Sequence, residues 1–235
     1  MPKIIQPGSE TVLSLSESRI VSRRKFLGLS GAAAGALAIV LSSCHKDDNN
    51  TMPSDGIDLG SGDEGILNYA YALEQLEAAF YIQVLASPYS GISATESARL
   101  SEIRDHEIAH REFFKNALSS KAIQDLEVDF SAINFSSRDS VLATAKTFED
   151  LGVSAYNGAG KLITNPAYLT IAGKIVSVEA RHAAYIRDII SNGSFADNTV
   201  IDANGLDKSN MPVDVLIAAN TFLKTKVTGK NLPTS

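Results

Sequence analysis

The chain has 235 residues, a formal net charge of −6 and 44% hydrophobic residues, enough to bury one sizeable core with extensions around it. The acidic balance excludes a nucleic-acid-binding surface, which requires clustered basic charge. A single cysteine, Cys44, excludes an internal disulfide framework and a cysteine-rich zinc site.

The N-terminal stretch reads as an address. Residues 22–27 are Ser-Arg-Arg-Lys-Phe-Leu, an apolar run rich in Gly and Ala extends from Phe26 to Leu41, and Leu41-Ser42-Ser43-Cys44 closes it. The order of basic, apolar and small residues is that of an export signal, and the run is short for a membrane span. The paired arginines resemble a twin-arginine signal, and the closing tetrapeptide resembles a lipobox, in which Cys44 is lipidated and becomes the mature N-terminus. Residues 1–43 are then removed, and the membrane becomes a partner through Cys44. The protein is placed in the cell envelope, on the periplasmic face or the cell surface of an outer membrane. Residues 44–62 are polar, with Gly, Pro, Asn and Asp, and read as a flexible tether.

Four helices are expected next. The first runs from about Asp63, a plausible N-cap, to Leu85, before Ser87-Pro88. The second runs from about Ala94 to Leu118. A long connection from Ser119 to Ser136 lacks a clean period. The third spans about Ser137 to Ile163, ends at Asn165-Pro166, and carries three glycines (Gly152, Gly158, Gly160) that are candidates for a bend. The fourth runs from about Ala167 to Ile190, before Ser191-Asn192-Gly193. Residues 194–235 form an extension with a short fifth helix near Val213–Phe222. No stretch shows the period of a strand. Short, long and short connections between four helices predict an all-α bundle, residues 63–193, with one crossover.

Each helix carries a carboxylate in the middle of its apolar face: Glu74, Glu107, Glu149 and Glu179. Ionised carboxylates are costly to bury uncompensated, and four in one core cannot pair with one another. Two divalent cations would neutralise them. Glu107 and Glu179 are each followed one turn later by a histidine, His110 and His182, on the same helix face. Oxygen and imidazole donors suit iron or manganese. The pattern repeats: Tyr81 lies seven residues after Glu74, as Tyr156 does after Glu149. The halves read as two copies of one helix pair.

With Ile66–Tyr81 (ILNYAYALEQLEAAFY) and Asp105–Phe114 (DHEIAHREFF), the chain resembles the ferritin-like superfamily, and within it the desiccation-related ferritin-like proteins, over about Asp63 to Gly193. The resemblance implies a metal-ligand set of Glu74, Glu107, His110, Glu149, Glu179 and His182. It also implies that Tyr81 orients a ligand from behind, with Tyr156 as its counterpart. Glu77 is an additional acid that competes with Glu74, and the matching tyrosine favours Glu74. The implied chemistry is that of a carboxylate-bridged pair of iron or manganese ions reacting with dioxygen or peroxide, as a ferroxidase with ferrous iron as substrate, a catalase-like enzyme or an oxidase. A non-catalytic stress-protective or interaction module, with structural metal or none, is the alternative. A remote one is a zinc protease, because His106-Glu107-Ile108-Ala109-His110 matches His-Glu-x-x-His. On the bundle reading, His106 is a surface or supporting residue on the flank. Arg104, Arg111 and Lys146 are flank charges or partners of spare acids such as Glu77 and Asp150. Phe80, Phe113, Phe114 and Tyr185 are core packing.

Overall fold

A computed structural model describes Pro53 and residues 55–234. The signal, the lipobox-like Cys44 and most of the tether lie outside the described residues. Four long helices are present among the described residues: α1 (Gly62–Ala86), α2 (Ala94–Leu118), α3 (Arg138–Gly160) and α4 (Pro166–Ile190). A short α5 (Pro212–Ala219) follows, extended by a 3-10 turn at Asn220–Phe222. α1 packs along α2, and α3 along α4, as short connections between antiparallel neighbours require. This is the expected all-α bundle with a long connection between its second and third helices.

The helix ends show why the boundaries fall where they do. α2 opens on a capping box, with the Ser93 hydroxyl accepting from Glu96 N and the Glu96 carboxylate accepting from Ser93 N. Ser137 caps α3 by accepting from Ser140 N. Asn165 caps α4 ahead of Pro166. Asp63, expected as an N-cap, lies inside α1, whose cap is Ser61. Its carboxylate instead accepts from Thr164 N (2.8 Å), Thr164 Oγ1 (2.9 Å) and Asn165 N (2.8 Å), clamping the start of α1 to the α3–α4 turn.

α1 is buried nearly all round, so no single apolar stripe describes it; a helix wrapped by neighbours loses its polar face. Its two buried amides, Asn68 and Gln75, hold the crossover. Asn68 donates to Leu59 O and Lys121 O and accepts from Ile123 N, while Gln75 accepts from Leu126 N. Phe130 and Phe135 of the crossover pack on Phe80, which also meets Phe148 edge to face. The crossover is therefore ordered by long-range contacts that leave no periodic trace in its sequence.

Two expectations are corrected at the ends of the domain. Ile57–Asp58 (β1) pairs in parallel with Val227–Thr228 (β2), where no strand was expected, because a two-residue pairing is too short to show a period. Leu59 is fully buried and Ile57 packs on the same core, so the last residues of the supposed tether belong to the fold. The C-terminal extension likewise supplies Val215, Leu216, Leu223 and Val227 to the main core. The glycines of α3 do not break it. A Cβ on Gly158 would lie 1.7 Å from Asn210 O, so this glycine lets the extension's backbone lie against the helix, where Asn210 N donates to Ser154 O.

Candidate metal centre

Midway along the bundle, Glu74, Glu107, Glu149 and Glu179 are each 0% exposed. One comes from each long helix, so the fold brings together four acids that are remote in sequence. Residues three apart on a helix share a face, which brings His110 beside Glu107 and His182 beside Glu179. Two overlapping groups result. In the first position, Glu74, Glu107, His110 and Glu179 offer donor atoms within 4.8 Å of one another; in the second, Glu107, Glu149, Glu179 and His182 do the same. Glu107 and Glu179 belong to both, and Glu74 and Glu149 each belong to one.

The histidines point Nδ1 inward. His110 Nδ1 lies 2.9 Å from Glu179 Oε1, 3.5 Å from Glu74 Oε2 and 3.8 Å from Glu107 Oε2. His182 Nδ1 lies 2.8 Å from Glu107 Oε1, 3.5 Å from Glu149 Oε2 and 3.8 Å from Glu179 Oε2. The two sets mirror each other, as a duplicated helix pair demands. The tyrosines bind crosswise: Tyr81 on α1 donates to Glu149 Oε1 on α3 at 2.5 Å, and Tyr156 on α3 donates to Glu74 Oε1 on α1. Neither tyrosine serves the glutamate of its own helix.

Eight inward atoms are left without a well-aligned hydrogen bond, the close Nδ1···O approaches lying off the line of a ring N–H: Glu74 Oε2, Glu149 Oε2, both carboxylate oxygens of Glu107 and of Glu179, and Nδ1 of both histidines. Orphaned buried polar atoms are rare and demand an explanation. Their electrostatics say the same. Burial pushes Glu107 well above its ordinary value, reinforced by Glu179. Burial takes Glu149 to about 7 against the pull of His182, and Glu74 is raised chiefly by burial. For His110 and His182, burial alone would favour the neutral ring, but the surrounding carboxylates outweigh it and carry both up to about 12. Glu179, held between both histidines, is lowered despite its burial. Protons on rings and carboxylates thus stand where cations would. The donor set is oxygen and imidazole, the choice of iron and manganese rather than softer metals, and the residues present fit a pair of such ions.

Other expected roles are corrected or completed. Glu77 is 4% exposed, yet it belongs to neither donor group; burial and then the carboxylates of Glu107, Glu179, Glu149 and Glu74 hold its pKa well up. His106 hydrogen-bonds the outer nitrogen of His182, Nδ1 to Nε2 at 2.9 Å. It is absent from both donor groups, so His106 and His110 do not converge as a His-Glu-x-x-His zinc site needs. Arg104 and Arg111 pair with Asp105 and Glu112 beside them, and Lys146 pairs with Asp150. Phe80 and Phe114 are buried, but Phe113 is 37% exposed.

A sequence model of the ferritin-like domain family matches residues 62–192, a span that takes in α1 to α4 and every residue of the centre. No curated protein matches the chain. The chain belongs to the ferritin-like domain family.

Proposed function

From a ferritin-like chain with that interior, we propose a protein that holds two iron or manganese ions and uses them in redox chemistry with dioxygen or peroxide. The carrying observation is the set of eight buried donor atoms without well-aligned hydrogen bonds, drawn from four helices around two points. Glu107 and Glu179, common to both donor groups, would help hold both ions, Glu74 with His110 and Glu149 with His182 would hold one each, and such a pair would supply one-electron and two-electron steps between a donor and the oxidant.

The chain's own residues prepare that chemistry. Tyr156 and Tyr81 each occupy one oxygen of a terminal glutamate and leave the other turned inward, fixing which atom is offered. The apolar surroundings keep bulk water away and strengthen every charge interaction inside. Ferrous iron, peroxide and an organic donor all remain compatible substrates. The protein is further proposed to sit in the cell envelope on lipidated Cys44. This rests on the sequence of residues 22–44 alone, and Cys44→Ser should release it from the membrane fraction.

Elemental analysis of the full chain purified from its own envelope tests the centre. Two iron or manganese ions per chain are expected, with an optical change on adding dioxygen or peroxide to the reduced protein. Glu107→Ala with Glu179→Ala should remove both ions. Unchanged metal content in that variant, or a folded protein that takes up no metal, would falsify the reading.

A further inference from the structure

The two halves of the bundle match at every ligand, so the places where they fail to match carry information. Aligning Glu74 with Glu149 sets Glu77 opposite Gly152, and aligning Glu107 with Glu179 sets His106 opposite Val178. Both mismatches fall against the centre, and both favour one side of it.

The first concerns the histidines. The rings of His106 and His182 lie within 7° of parallel with centroids 5.1 Å apart, and Nδ1 meets Nε2 at 2.9 Å. That separation is what two imidazoles give when they meet edge to edge in one plane, so the contact is a hydrogen bond along the ring plane rather than a face stack. If His182 Nδ1 faces a metal ion, its proton would stand on Nε2, which would then donate to His106 Nδ1. Such a bond fixes the ligand's tautomer and orientation and raises its basicity. Val178, the residue matching His106 in the other half, has no polar group to do this for His110.

The second concerns a fifth acid. A Cβ built on Gly152 would lie 3.0 Å from Glu77 Oε1 and 3.8 Å from Glu179 Oε2. Glu77 reaches across from α1 into the space that any side chain at position 152 would fill. The Glu179 oxygen nearest that space is the one on the His182 side, 3.8 Å from His182 Nδ1. An additional carboxylate there attracts a cation to that side.

We propose that His106 and Glu77 make the two positions unequal, so that the position bounded by Glu149 and His182 takes its ion first. His106 acts as a positioning residue through His182, and Glu77 is a reserve carboxylate for the same ion. The inference rests on the dinuclear reading above.

The test uses the full chain stripped of metal and given one equivalent of manganese(II), with anomalous scattering from crystals to locate it. The ion should appear beside Glu149 and His182, with little beside Glu74 and His110. His106→Val, which copies Val178 at an exposed position, should weaken the first step of the manganese binding isotherm by about 10- to 100-fold and even out the two occupancies. Glu77→Gln, which keeps the shape, should narrow the difference between positions without unfolding the bundle. First occupancy beside Glu74 and His110, an even split in the unsubstituted protein, or no change in distribution with either variant overturns the proposal while leaving the dinuclear reading intact. No binding of manganese or iron at all overturns that reading and this inference with it.

Discussion

Among the described residues two groups of charges are buried, and they are treated in opposite ways. At one, the Arg187 guanidinium, 2% exposed, spends its donors on protein: Nη1 on Asp150 Oδ2 (2.6 Å), Nη2 on Asp197 Oδ1 (2.8 Å) and on Thr199, and Nε on Ser194 O (3.1 Å). At the other, five acids and two histidines crowd one interior and leave eight atoms without a well-aligned hydrogen bond. The chain can satisfy a buried charge when nothing else is to bind there, as Arg187 shows. The unsatisfied cluster is therefore what the proposed metal ions would satisfy.

That contrast fixes the largest expected effect. Arg187→Ala removes the buried cation that ties Asp150, Asp197 and Ser194 together and frees the turn after α4, and breaking such a buried ion pair costs about 3–5 kcal/mol. Urea denaturation should show a loss of that order, with or without metal. Glu107→Gln should not do the same in metal-free protein: burial and then Glu179 already favour the neutral form of this carboxyl, against the pull of His110 and His182, so the metal-free chain keeps its stability while metal binding collapses. If Glu107→Gln destabilised the metal-free protein as much as Arg187→Ala does, the cluster would be structural and the contrast would fail.

Acidity sharpens the same comparison at a smaller scale. Glu149 is raised from an ordinary value of 4.5 to about 7, so its contribution is present below about pH 4.5 and is lost as the pH climbs to about 7. Glu107 and Glu77, pushed well up by burial, act in the same direction. His110 and His182, carried to about 12, stabilise below about pH 6.5 and lose that contribution toward about 12. Glu179, lowered, runs the other way and matters only in acid. The metal-free protein should melt at lower temperature at about pH 8 than at about pH 5. Metal binding strengthens with pH because it displaces those protons. The gap in melting temperature between metal-loaded and chelator-treated protein should therefore widen across that range. A constant or narrowing gap would mean that protons do not stand in for cations.

The fold was legible in the sequence because its signals are local. Ser87-Pro88, Asn165-Pro166 and Ser191-Asn192-Gly193 mark helix ends, and a carboxylate amid apolar residues marks each inward face. Glu107 with His110 and Glu179 with His182 could be paired from spacing because one helix turn brings each pair together, and the full set of six was implied by the resemblance to ferritin-like proteins. What could not be read depends on contacts between helices. The crossed tyrosines, the reach of His106 to His182 and the filling of the Gly152 space by Glu77 all need the bundle assembled. The register of the two halves held a clue to the last two, since neither His106 nor Glu77 has a counterpart of its kind in the other half, where Val178 and Gly152 stand. The order of the crossover and of Ile57–Leu59 was illegible for a plainer reason: Asn68, Gln75 and β2 hold them from far along the chain.

The smallest expected effect lies on the rim of the Arg187 network. Lys146 Nζ donates to Asp150 Oδ2 at 2.8 Å, the same oxygen that Arg187 holds at 2.6 Å. The two cations differ in setting: the Lys146 side chain is 34% exposed and that of Arg187 is 2% exposed. Solvent screens the lysine, and a partly exposed pair one helix turn apart contributes about 0.3–0.5 kcal/mol. Lys146→Ala should therefore shift the urea midpoint only slightly, close to tenfold less than Arg187→Ala in free energy. If the two losses were comparable, Asp150 would need both cations, and its tie to α4 would depend on a surface charge rather than on the buried guanidinium.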